Sequence, residues 1–252
     1  MRILFTICGR AGSKGIKNKN IRDFLGRKLP LYTLSAIDLY MKRHPSIDCD
    51  IVANSDSKEL LNILCNNGKC KVYAIERTAD LSGDRVAKID VIRDCLARME
   101  ERTHKNYTMV VDLDITSPLR IVQDIENLIK KQAETNCDVV FSVVEARRNP
   151  YFNMIKKTER GYAKVIQSDF VARQQAPEIF DMNASMYAYK PDFLRTGKGI
   201  FDGYCEVIRM YDTGILDLDR EDDFELMEVV AAYLFSDKAE FAEIKSNITN
   251  LY

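Results

Sequence analysis

Short apolar runs alternate along this chain with longer segments of helical period. That alternation confines it to βα units around a mainly parallel sheet. The runs fall at 2–8, 49–53, 71–75, 107–113 and 138–144. Between them, Pro30 opens a helix whose apolar face carries Leu31, Leu34, Ile37, Leu39 and Met41. The polar tip Asn54-Ser55-Asp56 is expected to cap a helix holding Leu60, Leu61 and Leu64. Further helices are expected around Ile89 to Met99, over 124–133 and over 225–235. From Glu145 the pattern breaks into short, weakly periodic pieces, and it resumes in strand-like stretches at 184–189 and 206–211. The break reads as an insertion of hairpin character, a lid or a dimerisation element, within a single domain spanning 1–252.

The first apolar run passes directly into Gly9-Arg10-Ala11-Gly12-Ser13-Lys14-Gly15, followed by Lys17, Lys19 and Asn20. Glycine lets the backbone approach a ligand and turn with positive φ. A row of N–H groups among cations suits a polyphosphate, and in open α/β sheets ligands bind at the C-terminal ends of strands. Neither a Walker A loop nor a G-x-G-x-x-G fingerprint fits the spacing. A basic, solvated turn is the plainer alternative.

Two carboxylate pairs follow. Asp112 and Asp114 stand at i and i+2 on a buried strand, so they share a face. Leaving that face charged is costly without a counter-charge or a metal; alternatively Asp114 caps the turn into Thr116-Ser117-Pro118. Asp217 and Asp219 have the spacing of an Mg²⁺-holding pair whose remaining ligands come from phosphate. The neighbouring Glu221, Asp222 and Asp223 read as the acidic start of a helix. A polar loop, Arg77 to Asp84, carries one arginine.

A formal net charge of −1 argues against a nucleic-acid binder. Seven scattered cysteines and two histidines give neither a disulfide framework nor a zinc site. No run approaches ~18 apolar residues, so no membrane span or signal peptide is expected, and a cytoplasmic protein is the default.

Three strings together resemble the cytidylyltransferases that activate sialic-acid-like nonulosonic acids: R-x-G-S-K-x-x-x-x-K-N from Arg10 to Asn20, TSPLR from Thr116 to Arg120, and D-x-D at Asp217 and Asp219. The resemblance implies a Rossmann-like nucleotidyltransferase sandwich of three layers, a homodimer, and CTP with Mg²⁺. It implies that Arg10, Gly12, Ser13, Lys14, Lys19 and Asn20 grip the triphosphate. Arg77 and Asp84 would contact the nucleotide, and Asp217 and Asp219 would hold the metal. Arg10, Lys14, Lys19 and Asp217 would carry catalysis. The sugar acid would lie against Asp114, Thr116, Ser117, Arg173, Gln174 and Asn183, and the insertion at 145–180 would be a dimerisation arm covering the sugar site.

Departures narrow the substrate. Asp114 stands where sialic acid enzymes carry glutamine, Phe152 where a lysine is expected, and Lys88 where a small residue is expected near the base. These put N-acetylneuraminate in doubt and favour a legionaminic-type sugar, or an unacetylated nonulosonate such as Kdn; Asp114 would bond a sugar hydroxyl or join the metal shell. Rival readings are a Kdo or sugar-phosphate nucleotidyltransferase and a non-catalytic nucleotide-binding relative. Kdo is disfavoured because the R-L-P-G-K-P string is missing, and a sugar phosphate would call on Arg147 and Arg148.

Overall fold

The computed structural model describes residues 1–12, 15–83, 85–213, 218 and 220–251. Ser13, Lys14, Asp84, Asp217 and Asp219 lie outside them, as does the side chain of Arg173. The strands are β1 (Arg2–Cys8), β2 (Asp23–Phe24), β3 (Arg27–Lys28), β4 (Asp48–Ser55), β5 (Val72–Glu76), β6 (Met109–Leu113), β7 (Val139–Glu145), β8 (Ile155–Thr158), β9 (Gly161–Lys164), β10 (Phe180–Tyr189) and β11 (Cys205–Arg209). The helices are α1 (Pro30–Arg43), α2 (Lys58–Cys65), α3 (Lys88–Thr103), α4 (Val122–Thr135), α5 (Pro191–Arg195), α6 (Glu221–Asp237) and α7 (Ala239–Ile248).

Seven strands form one sheet in the order β11-β7-β10-β6-β1-β4-β5. All neighbours are parallel except β10, which runs antiparallel to both β6 and β7. The sheet is therefore mainly parallel, as the alternation requires. From β1 the chain builds outward through β4 and β5, then returns to pair β6 on the other side of β1. That reversal opens a crevice beyond the ends of β1 and β6, where α/β sheets bind ligands.

Alternating residues of the strands feed two apolar cores. Ile3, Phe5 and Ile7 of β1 pack with α1, α2, α4, α6 and α7 on one face. Leu4 and Cys8 pack with Ile89, Ile92, Leu96 and Met99 of α3 on the other. Three layers result. Helix α7, absent from the sequence reading, is sewn to α1 by polar contacts: Ser35 Oγ donates to the Ile244 carbonyl (2.6 Å) and Asn247 Nδ2 to Asp38 Oδ2 (2.7 Å). Within the insertion, β8 and β9 pair antiparallel, giving it the expected hairpin character.

Candidate active site

Strand β1 delivers the glycine loop to the crevice, and specific contacts shape it. Gly12 has φ +70°, a conformation that disfavours a side chain. A Cβ on Gly9 would come within 2.6 Å of Leu60 and 2.8 Å of Ile115. The Ala11 N–H donates to Asp56 Oδ1 at 2.6 Å. Asn20 Nδ2 donates to the Arg10 carbonyl at 3.0 Å, tying the two ends of the loop together. The helix after Asp56 is capped by Ser57, whose Oγ accepts from the Leu60 N–H, and not by the Asn54-Ser55-Asp56 tip. Asp56 is instead the loop's anchor.

A cleft of about 290 Å³ opens beside this loop. Arg10, Lys19, Asn20, Arg77, Asp114 and Thr116 all line it. Arg77 is aimed by Asn54: its Nε donates to Asn54 Oδ1 at 2.7 Å and its guanidinium also reaches the Asn54 carbonyl at 3.2 Å. Lys19 Nζ donates to the Leu218 carbonyl at 2.6 Å. Leu218 is fully buried and sits between Asp217 and Asp219 in the chain, so the basic loop is joined to the segment that bears that pair. Among the described residues no group of three or more His, Cys, Asp or Glu could hold a metal ion.

The charged face of β6 finds its counter-charge within the chain. Lys88, the first residue of α3, places Nζ 2.7 Å from Asp112 Oδ2 and 2.7 Å from Asp114 Oδ2. Thr6, paired with Asp112 across the sheet, donates its hydroxyl to Asp112 Oδ1 at 2.7 Å. Asp114 Oδ1 accepts from the Thr116 N–H (2.8 Å) and hydroxyl (2.7 Å). Asp114 thus does cap its turn while also forming an ion pair. Burial opposes its charge, but Lys88 and Thr116 outweigh burial and hold its pKa at about 2. Lys88 likewise stays protonated far above neutrality, because the two carboxylates overcome the cost of burial.

A group whose pKa falls on folding stabilises the fold above its unfolded value and loses that contribution as pH drops toward the folded one. Asp114 should therefore withdraw stability between about pH 4 and 2. Urea midpoints measured from pH 5 to 2 should fall more steeply for the parent chain than for Asp114→Asn; parallel curves would contradict the ion pair.

Behind this turn Arg120 is buried, with 1 % of its surface exposed. Its guanidinium donates to the Asp114 carbonyl, to the Ser185 carbonyl (3.2 Å) and to Thr33 Oγ1 (3.1 Å). Burial pulls its pKa down to about 10 against the nearby carboxylates, so it remains charged at neutral pH. The Thr116-Ser117-Pro118-Leu119-Arg120 string is therefore a turn clamped by its own last residue. The clamp at Arg120 has no local signal in the sequence, because its partners Thr33 and Ser185 are distant in the chain.

The candidate sugar contacts are divided. Thr116 lines the cleft, whereas Ser117 and Asn183 line an adjoining cavity of about 20 Å³. Asn183 is held by Ser142, whose hydroxyl donates to its Oδ1 at 2.6 Å. It sits on a bulge of β10 where Ala184 takes φ 50°. Gln174 stands exposed on a single turn, Arg173–Gln175, and lines neither cavity. Arg147, one of the two arginines that a sugar-phosphate reading would need, is paired with Asp212 (2.9 Å).

A family model described as cytidylyltransferase matches residues 4–211. The chain belongs to the cytidylyltransferase family. It is a nucleotidyltransferase enzyme, as the three strings implied. Among curated relatives, the post-translational flagellin modification protein B of Campylobacter coli is 36% identical over 90% of this chain and 93% of the relative. The CMP-N,N'-diacetyllegionaminic acid synthase of Campylobacter jejuni is 35% identical over the same shares. An N-acylneuraminate cytidylyltransferase of Streptococcus agalactiae is 27% identical over 89% of this chain and 52% of its own length. Among solved structures, a CMP:2-keto-3-deoxy-manno-octonic acid synthetase complexed with CTP superposes with a TM-score of 0.65 at 11% identity, covering 92% of this cytidylyltransferase and 99% of that chain. The 4-diphosphocytidyl-2C-methyl-D-erythritol synthase of Anaerococcus prevotii gives 0.59 at 14% identity, covering 92% and 97%. At such identities the two structures establish the nucleotidyltransferase fold alone.

Proposed function

We propose that this cytidylyltransferase joins CMP from CTP to the anomeric hydroxyl of a nonulosonic acid, with a legionaminic-type sugar as substrate. The observation that carries the reading is the cleft at the β1/β6 reversal, where Arg10 and Lys19 from the glycine loop face Asp114 and Thr116. The relatives named for legionaminate, matching along nearly their whole length, support the choice of sugar. The sugar's anomeric oxygen attacks the α-phosphorus while the bond to pyrophosphate breaks and the hydroxyl proton leaves. Positioning and charge neutralisation dominate such a transfer. Arg10 and Lys19, with Lys14, balance the charge gathering on the α-phosphate and the departing pyrophosphate. Arg77, held by Asn54, and Asp84 meet the nucleoside. Asp114, Thr116, Ser117 and Asn183 meet the sugar, and Arg173 its carboxylate.

Asp217 and Asp219 would hold Mg²⁺, and the buried Leu218 between them, bonded to Lys19, supports placing that pair at the phosphate end of the cleft. When bound, the ion would neutralise phosphate charge and acidify the sugar hydroxyl. The protein would act as a homodimer in which the insertion covers the neighbour's sugar site. Exposed Ile155, Tyr162 and Val171 on and beside the hairpin, together with an exposed Gln174 that does not line the cleft of its own chain, favour that arrangement. No helix among the described residues is long and apolar enough to cross a membrane, which agrees with a cytoplasmic enzyme.

Pyrophosphate release should be measured with CTP and Mg²⁺ over legionaminic, pseudaminic, N-acetylneuraminic, Kdn and Kdo acids. Release is expected with the legionaminic acid first. Release with Kdo alone would overturn the sugar assignment, and failure to bind CTP would overturn the activity.

A further inference from the structure

Asp112 and Asp114 direct one oxygen each at a single point in the floor of the cleft, where Lys88 Nζ lies 2.7 Å from both. Their other oxygens are committed elsewhere, to Thr6 and to Thr116. Two fixed carboxylate oxygens converging on one point make the beginnings of a divalent-cation site. Asp112 is fully buried, and its Oδ2 has charge contact with Lys88 but no aligned hydrogen bond. A spherical ion would satisfy that oxygen as well as an ammonium does. The lysine is also badly placed for its own helix. It opens α3, where the macrodipole favours anions, so its retention there is explained by the carboxylates rather than by the helix.

We propose that Lys88 is a tethered cation occupying a latent metal site formed by Asp112 and Asp114, so that the floor of the cleft is neutralised by the chain itself. This deepens the reading above by naming the resident cation of that cleft. Charge balance beneath the substrates is then independent of free Mg²⁺. Any divalent ion the enzyme uses enters elsewhere.

The test counts bound Mn²⁺ by electron paramagnetic resonance on the nucleotide-free protein and follows thermal unfolding with and without MnCl₂. Lys88→Gln keeps a donor on a side chain one atom shorter but removes the charge. It is expected to bind one Mn²⁺ per chain more than the parent and to gain more thermal stability from the ion. Adding Asp114→Asn to that variant should abolish the gain. Lys88→Ser, with more room for a hydrated ion, provides a second variant; folding that depends on Mn²⁺ in either one supports the proposal equally. An unchanged Mn²⁺ count in a folded variant overturns it. So does failure of both variants to fold with Mn²⁺ present. Loss of a bound ion on Asp112→Asn in the parent chain also overturns it, because the pair would then already hold metal. No nucleotide enters the experiment, so its failure leaves the cytidylyltransferase reading to the pyrophosphate assay.

Discussion

Replacing Lys19 with alanine is expected to lower kcat by about 100-fold or more, as removal of a single preorganised charge does in other enzymes. Lys19 lines the cleft and also donates to the Leu218 carbonyl at 2.6 Å, so in the proposed reaction it would serve the transferred phosphate while holding Leu218. These roles separate experimentally. Lys19→Arg retains charge and donors but carries a bulkier head, and should recover part of the rate if charge is what matters. If the carbonyl contact dominates, both variants lose Mn²⁺ or Mg²⁺ affinity together with kcat. Steady-state kinetics at saturating CTP, with circular dichroism to confirm folding, decides the matter. Turnover close to that of the parent in Lys19→Ala would remove the glycine loop from the triphosphate site.

The largest stability loss is expected at Arg120. Its side chain is fully enclosed and bonds four oxygens: Thr33 Oγ1, the Asp114 carbonyl, and the carbonyl and hydroxyl of Ser185. Truncation to alanine removes those four bonds from a dry interior and opens a large void, leaving the acceptors only the Asp114 N–H, the Thr33 hydroxyl and Ser117 as partners. Breaking a buried, hydrogen-bonded charge in this way costs about 3–5 kcal/mol. Arg120→Met restores most of the volume but none of the bonds, so it should remain several kcal/mol below the parent. Urea denaturation at neutral pH gives both numbers. A loss below about 1 kcal/mol would mean that the turn at 114–120 is held by its apolar neighbours Ile115 and Leu119.

What the sequence disclosed, and what it withheld, follows from the range of the interactions. Strand β1 and the opening of α1 at Pro30 were legible because periodicity and proline punctuation are local. Helix α3 was legible as a helix, but its first residue was seen only as an odd substitution. Nothing near Lys88 in the chain reveals the carboxylates that hold it. The demand was nonetheless visible from the other side, since an i, i+2 aspartate pair on a buried strand requires a cation; only its source was hidden. The same applies to Asp56, whose bond to the Ala11 N–H spans the gap between adjacent strand ends. The antiparallel course of β10 was hidden too, because a strand's direction leaves no trace in its composition. Helix α7 went unread although its apolar face, with Phe241, Ile244 and Ile248, is buried against α1 and α6.

The bond between Lys19 and Leu218 joins groups 199 residues apart. Seen in time rather than in space, it makes the cleft one of the last things the ribosome delivers. The glycine loop emerges at the start of synthesis without that bond. It stays so until the segment before α6 has left the exit tunnel, and α7 then closes over α1. A nascent chain of this protein can pair β1, β4, β5 and β6 early, yet β10, β11 and the finished cleft wait until translation is nearly done.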